Sequence, residues 1–149
     1  MNSQIIVIDD EQDFLDSVKR GLGASGYRNM HLVIDPRQAV LTLEQGKIFD
    51  LALIDITMPW VDGVTLLELF KSKSPSTECL MITSLNDAKV AVECLKKGAY
   101  DYILKPVTRD ALLSSVRRAL ERKGSWRCWR PVEPQHFRNC PIRRHFAEL

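Results

Sequence analysis

Four places along this 149-residue chain carry side chains that could act together on a phosphate or a divalent cation. Asp9-Asp10 is followed by Glu11, Asp55 ends an apolar run, Thr83 ends another, and Lys105 precedes Pro106. Carboxylates gathered at one point repel unless a cation shares the site, and hard oxygen donors with few fixed partners suit Mg²⁺. A hydroxyl and an ammonium group beside them supply the donor and positive charge that hold phosphate oxygens. Taken singly, Asp9 or Asp10 reads as a helix cap, Thr83 as a residue leaving a strand, and Lys105 as a solvated charge. The chemistry therefore depends on whether the fold brings them to one edge.

Five short apolar runs rich in Ile, Val and Leu, without alternation, read as buried strands over residues 5–8, 30–34, 51–54, 79–82 and 102–104. Helix-length segments separate them. Phe14, Leu15, Val18 and Leu22 recur at helical spacing, with Gly23 and Gly26 as terminators. Asp35-Pro36 gives an N-cap and a proline at the first helical position, ahead of Val40, Leu41, Leu43 and Gly46. A third helix runs from Gly63 through Leu66, Leu67 and Phe70 and ends before Pro75. A fourth carries Ala88, Ala91, Val92 and Leu95 and stops at Gly98; a fifth begins after Thr108 and turns Leu112, Leu113, Val116, Ala119 and Leu120 inward. Strands alternating with helices predict an α/β fold, a doubly wound parallel sheet covered on both faces, with ligands beyond the carboxyl ends of the strands. Those ends carry Asp9-Asp10, Asp55, Thr83 and Lys105.

Composition fits one globular domain: 45% hydrophobic, 27% charged, 7 Gly and 7 Pro exclude a disordered or collagen-like chain. No apolar stretch reaches the ~18 residues of a membrane span and no signal core is present, so the expected location is the cytoplasm. The 4 Cys show no CxxC spacing, which suggests reduced thiols. Charge is unevenly placed. Residues 1–123 hold 16 Lys+Arg against 17 Asp+Glu, and residues 124–149 hold the remaining 5 of 21 and 2 of 19.

The loop after Asp55 reads Ile56-Thr57-Met58-Pro59-Trp60-Val61-Asp62-Gly63. With the acidic pair and the run Gly98-Ala99-Tyr100-Asp101-Tyr102-Ile103-Leu104-Lys105-Pro106, the chain closely resembles the receiver domain of two-component response regulators over residues 4 to about 121. Residues 91–123 resemble receivers of enhancer-binding, nitrogen-regulation type transcription activators. This resemblance implies a flavodoxin-like five-stranded sheet of order 2-1-3-4-5. It implies that Asp55 is the phosphoacceptor for a sensor histidine kinase, with Mg²⁺ ligated by Asp10, Asp55 and the backbone carbonyl of Thr57, and by Asp9 through a water. Lys105 would pair with the phosphate, Thr83 would hydrogen-bond it, and the Lys105-Pro106 bond would be cis. Elementary chemistry suits these roles, because phosphoryl transfer asks for a nucleophile, positioning and charge neutralisation, and a flexible Lys can follow the phosphate as a point charge.

A phosphoryl group would add about −1.5 to −2 charges at Asp55. The resemblance implies that Thr83 then shifts and Tyr102 rotates inward as the second switch residue. The face of the fourth helix, fifth strand and fifth helix, with Lys89, Val90, Lys96, Arg117 and Arg118, would change and could pair with a copy of itself as a homodimer. Thr57 and Leu85 would flank the path of the hydrolytic water, and apolar Leu85 predicts slow autodephosphorylation. Ser84 stands where the family more often has Ala. Trp60 reads either as local packing over the third helix or as a kinase contact. Met58-Pro59 and Asp62-Gly63 shape the loop and the helix start.

The reading is a phospho-accepting signalling module that catalyses only its own phosphorylation and dephosphorylation. An aspartyl-phosphate-forming phosphatase is the enzymatic alternative; such enzymes usually place a second acid two residues past the nucleophile, where this chain has Thr57. A receiver-like interaction module that never takes phosphate is the other. Residues 1–123 form the receiver and 124–149 a basic, irregular tail, read as a linker fragment or disordered extension. No DNA-binding domain is expected within the chain, which reads as a single-domain regulator or part of a larger one. Cys128, His136, Cys140 and His145 match no zinc-finger spacing, and residues 126–130 offer a basic, aromatic stretch of the kind that stacks on nucleic acid.

Overall fold

The computed structural model describes residues 2–127. Its elements alternate as read: β1 Ile5–Ile8, α1 Gln12–Ala24, β2 Met30–Val33, α2 Pro36–Glu44, β3 Leu51–Ile54, α3 Gly63–Lys73, β4 Glu78–Thr83, α4 Ala88–Lys96, β5 Asp101–Leu104 and α5 Arg109–Arg127. The five strands form one parallel sheet in the order β2-β1-β3-β4-β5. The chain thus has the doubly wound, flavodoxin-like topology, with its switch point between β1 and β3.

Side chains alternate across the sheet, so each strand feeds two cores. Ile6, Ile8, Ala52, Ile54, Cys79 and Met81 meet Ala39 and Leu43 of α2, Leu66, Leu67 and Phe70 of α3, and Cys94 of α4. Ile5, Val7, Leu51, Leu53, Leu80 and Ile82 meet Leu15, Val18 and Leu22 of α1 and Leu112, Val116 and Ala119 of α5. Burial on both faces explains the unbroken apolar runs of β1 and β3, each side chain contributing roughly 1.5–3 kcal/mol on burial. Register then lines up the strand ends. Ile8 lies opposite Ile54, Ile54 opposite Met81, and Thr83 opposite Leu104. The residues that follow, Asp9, Asp55 and Lys105, are therefore delivered to one edge.

Local signals fix the helix starts. Asp35 accepts from Arg37 N–H at 2.9 Å with Pro36 behind it, Asp62 from Thr65 N–H at 2.8 Å, Asp87 from Lys89 N–H at 2.9 Å, and Thr108 from Ala111 N–H at 3.2 Å. Gly46 and Gly98 end α2 and α4 at φ +80° and +105°, the left-handed conformation that a glycine past a helix supplies.

Several expectations are corrected. Gly23 lies inside α1, whose last residue is Ala24; a single helical glycine is tolerated at about 1 kcal/mol. Strand β2 stops at Val33, because Ile34 is already 46% exposed on leaving the sheet. Strand β4 extends a residue at each end, and β5 begins at Asp101. Helix α5 continues through Arg127, into the segment read as irregular, since no proline interrupts it before Pro131. The largest difference is α4. Val92 and Leu95, read as its apolar side, are 49% and 47% exposed, while Cys94 is the residue it buries. Cys128, His136, Cys140 and His145 lie outside the described residues, as does the rest of the tail beyond Arg127.

Candidate functional site

The carboxyl ends of β1 and β3 are adjacent, and their backbones hold the two aspartates in place: Asp9 N–H donates to Val33 O at 3.1 Å and Asp55 N–H to Ile8 O at 3.0 Å. Both carboxylates are almost fully buried, Asp9 at 1% and Asp55 at 5% exposure. Asp10 and Glu11 stand beside them on the exposed rim, and one carboxylate oxygen from each of the four residues lies within 4.8 Å of the others. Glu11 joins the cluster through its place at the start of α1, which its spacing next to Asp10 already allowed.

Lys105 enters from β5, where its N–H donates to Thr83 O at 2.8 Å, and the Lys105-Pro106 bond is cis, as the resemblance implies. Its ammonium lies 2.6 Å from Asp9 Oδ2, 3.5 Å from Glu11 Oε1 and 3.6 Å from Asp55 Oδ2. The lysine is thus anchored first on Asp9. It also lies over the ring of Phe14, 4.2 Å from the centroid.

Burial pushes the Asp55 carboxyl above its ordinary range; the Lys105 ammonium, the Thr83 hydroxyl and the Thr57 N–H pull it back, and Asp10 adds repulsion. Asp9 is raised by the same burial and by the Asp55 charge, against the hydrogen bonds from Lys105 and from Glu11 N–H at 2.9 Å. Burial alone would lower Lys105, yet the Asp9 carboxylate, with Asp55 and Glu11, holds it above the usual lysine value. Three carboxylates share one ammonium, and Asp10 stands in the same cluster. Such a donor set fits a small hard divalent cation, which would offset the charge that Lys105 leaves uncompensated.

The structure also gathers Thr83 and Tyr102, through Leu85. Thr83 Oγ1 accepts from Leu85 N–H at 3.2 Å, and the Tyr102 hydroxyl donates to the Leu85 carbonyl. One residue of the β4–α4 loop is gripped from both sides. Leu85 and Thr57 also line a cleft of about 520 Å³ between α3 and α4, with Val90 and Glu93 on its α4 side. Lys97, just past α4, closes this cleft with ion pairs to Glu68 of α3 and to Glu93, the latter at 3.0 Å. Lys89, Lys96, Arg117 and Arg118 are solvent-exposed on α4 and α5.

Gly63 and Trp60, on the loop after Asp55, have larger structural parts than the sequence suggests. Gly63 N–H donates to Ile56 O at 2.9 Å, and the first turn of α3 presses so closely on the end of β3 that a Cβ on Gly63 would stand 2.2 Å from Asp55 O. Trp60, 68% exposed, takes φ +67°, a left-handed conformation that costs a non-glycine residue about 1–2 kcal/mol. Its ring stacks under the Arg37 guanidinium at 3.9 Å, and Arg37 pairs with Asp35 at 2.8 Å. Trp60 therefore meets the first turn of α2 through Arg37.

A five-stranded doubly wound sheet carrying a carboxylate nest and a lysine at its switch-point edge defines the class of protein. Residues 5–117 match the response regulator receiver domain, and the chain belongs to that family. It is 34% identical over 124 residues to the transcriptional regulatory protein ZraR of Escherichia coli K12, covering 83% of this chain and 28% of ZraR. It is 35% identical over 120 residues to the C4-dicarboxylate transport transcriptional regulatory protein DctD of Pseudomonas aeruginosa, covering 80% of this chain and 25% of DctD. The chain thus spans about a quarter of the length of these relatives. Among solved structures, the CheY-like receiver domain protein of Methanospirillum hungatei JF-1 aligns with a TM-score of 0.78 at 30% identity, over 83% of this chain and 98% of that one.

Proposed function

We propose that this receiver takes a phosphoryl group from the phosphohistidine of a sensor histidine kinase onto Asp55. The observation that carries the reading is the Lys105 ammonium set between buried Asp9 and Asp55, 2.6 and 3.6 Å from their oxygens, with Asp10 and Glu11 at the rim. Mg²⁺, held by Asp10, Asp55 and the Thr57 carbonyl with Asp9 acting through a water, would neutralise charge on the phosphoryl oxygens. Asp55 in its ionised form attacks phosphorus, the phosphorus–nitrogen bond breaks, and the electron pair leaves on the histidine nitrogen. Lys105 pairs with the transferred group.

The added charge draws the Thr83 hydroxyl. Since Thr83 and Tyr102 both hold Leu85, a shift of Thr83 alters the β4–α4 loop and with it the surface of α4, β5 and α5. That surface exposes Val92, Leu95 and Leu104 among Lys89, Lys96 and Arg117, which suits a homodimer formed on phosphorylation. Among the described residues no helix is long and apolar enough to cross a membrane, and we place the chain in the cytoplasm with transcription control as its output, in keeping with the names of its relatives.

Incubation with Mg²⁺ and acetyl phosphate should give one added phosphoryl group by intact mass, and Asp55→Asn should show none. An unmodified wild type, or an adduct that survives Asp55→Asn, sinks the reading. Leu85 has no group that can orient a water, so the adduct should be long-lived. Leu85→Glu should shorten its lifetime about 10- to 100-fold, within the effect of a positioned carboxylate, and an unchanged decay rate counts against Leu85 lining the water's path.

A further inference from the structure

Three carboxylates pull on the Lys105 ammonium. Asp9, Glu11 and Asp55 lie at 2.6, 3.5 and 3.6 Å, and the nearest of the three is not the phosphoacceptor. The ammonium also stands over the face of Phe14, the third residue of α1, half-buried against the core formed by α1 and α5. An ammonium 4.2 Å from a ring centroid is attracted by the negative face of the π system. That attraction uses no hydrogen bond. A fourth carboxylate in the same place would capture the N–H groups, and an alkyl chain would remove water and offer nothing in return. The ring instead holds the nitrogen in place and leaves its donors free to exchange partners.

We propose that Phe14 is a positioning residue for phosphoryl transfer: its ring keeps the Lys105 ammonium turned toward Asp55 while leaving the N–H groups available to the phosphoryl oxygens. The inference rests on the phosphoacceptor reading above. Lys105, at 11% side-chain exposure, is cradled by a ring and a set of carboxylates, and the ring is the part of that cradle that does not compete with the incoming group.

The test uses the full chain with Phe14→Leu, which keeps an apolar side chain and removes the π face, and Phe14→Tyr, which keeps the ring. With acetyl phosphate and Mg²⁺, Phe14→Leu should lower the saturating phosphorylation rate about 3- to 10-fold, the equivalent of a partly desolvated cation–π contact, and leave the half-saturating acetyl phosphate concentration unchanged. Phe14→Tyr should restore the rate. In proton NMR the Lys105 ε-methylene signals should be shifted upfield by the ring in wild type and Phe14→Tyr, and return toward ordinary lysine values in Phe14→Leu. A Phe14→Leu rate equal to wild type, a slow rate that Phe14→Tyr fails to restore, or ε-methylene signals indifferent to Phe14→Leu each overturn the proposal. A wild type that takes no phosphoryl group overturns the phosphoacceptor reading and this inference with it, whereas a phosphorylated wild type matched by Phe14→Leu overturns this inference alone.

Discussion

Gly63→Ala should lose phosphorylation by roughly two orders of magnitude, the penalty for moving a reacting group by about 1 Å. The methyl group would meet Asp55 O at 2.2 Å, Ile56 Cα at 2.6 Å and the Asp55 carbonyl carbon at 2.8 Å. All three are backbone atoms, so no side chain can swing away. Either α3 lifts off the sheet, breaking the Gly63 N–H to Ile56 O bond, or the end of β3 gives way and carries the Asp55 carboxylate out of reach of Lys105. Overpacking of this kind also destabilises by about 1–3 kcal/mol. Gly23→Ala is the matched control, since its nearest atom is the Met30 methyl carbon at 3.9 Å and its place in α1 favours alanine. Rates with acetyl phosphate and Mg²⁺, beside thermal melts, separate the two variants. A Gly63→Ala protein phosphorylated as fast as wild type would show that the α3 start and the β3 end are not rigidly coupled.

The second large effect concerns the charge in the nest. In metal-free protein, Asp9 and Asp55 have carboxyl groups raised above their ordinary values by burial. A raised carboxyl binds more protons folded than unfolded between its unfolded and folded values, so stability falls as pH rises through that window. The contribution is fully present below the ordinary carboxyl value of about 4 and is lost as pH rises through the raised folded-state values. Asp35, held low by Arg37, acts with the opposite sign below its ordinary value, and His31, held low by burial, acts with the opposite sign below about 6.5. The comparison of wild type with Asp55→Asn removes both. At neutral pH without metal, Asp55→Asn should be more stable by about 1–2 kcal/mol, raising the melting temperature by roughly 3–6 °C and flattening the decline with pH. Mg²⁺ should stabilise wild type more than the variant. A metal-free Asp55→Asn protein that melts below wild type at neutral pH contradicts this account of the nest.

Much of this was legible in the sequence. The apolar runs of β1 and β3 stop where the charges Asp9 and Asp55 begin, so two strands and their bounds were readable together with the groups they deliver. Asp35-Pro36 and Asp62-Gly63 announced their helices because a cap is local chemistry. Three other features left no local mark. The orientation of α4 could not be read, because its periodicity gives a stripe without saying which stripe meets the sheet, and the small Cys94 occupies the inward position while Val92 and Leu95 face out. The first partner of Lys105 was unreadable, because Asp9 and Asp55 are equivalent until register and burial separate them. Gly63 hid its role for a simpler reason: a close approach of two backbones has no side-chain signature. Phe14 read as core, and it is core on one side only.

The ion pair between Lys105 and Asp9 spans 96 positions of sequence, and β1, made before β5, lies inside the sheet while β5 forms its edge. Contacts of such long range are slow to form and arise late. During synthesis, the acidic strand ends of β1 and β3 therefore emerge from the ribosome well before the lysine that belongs with them. A nascent or prematurely terminated chain holds the acids without their counterion. Until translation has passed residue 105, the Asp9 and Asp55 carboxylates lack the ammonium that they meet in the folded chain.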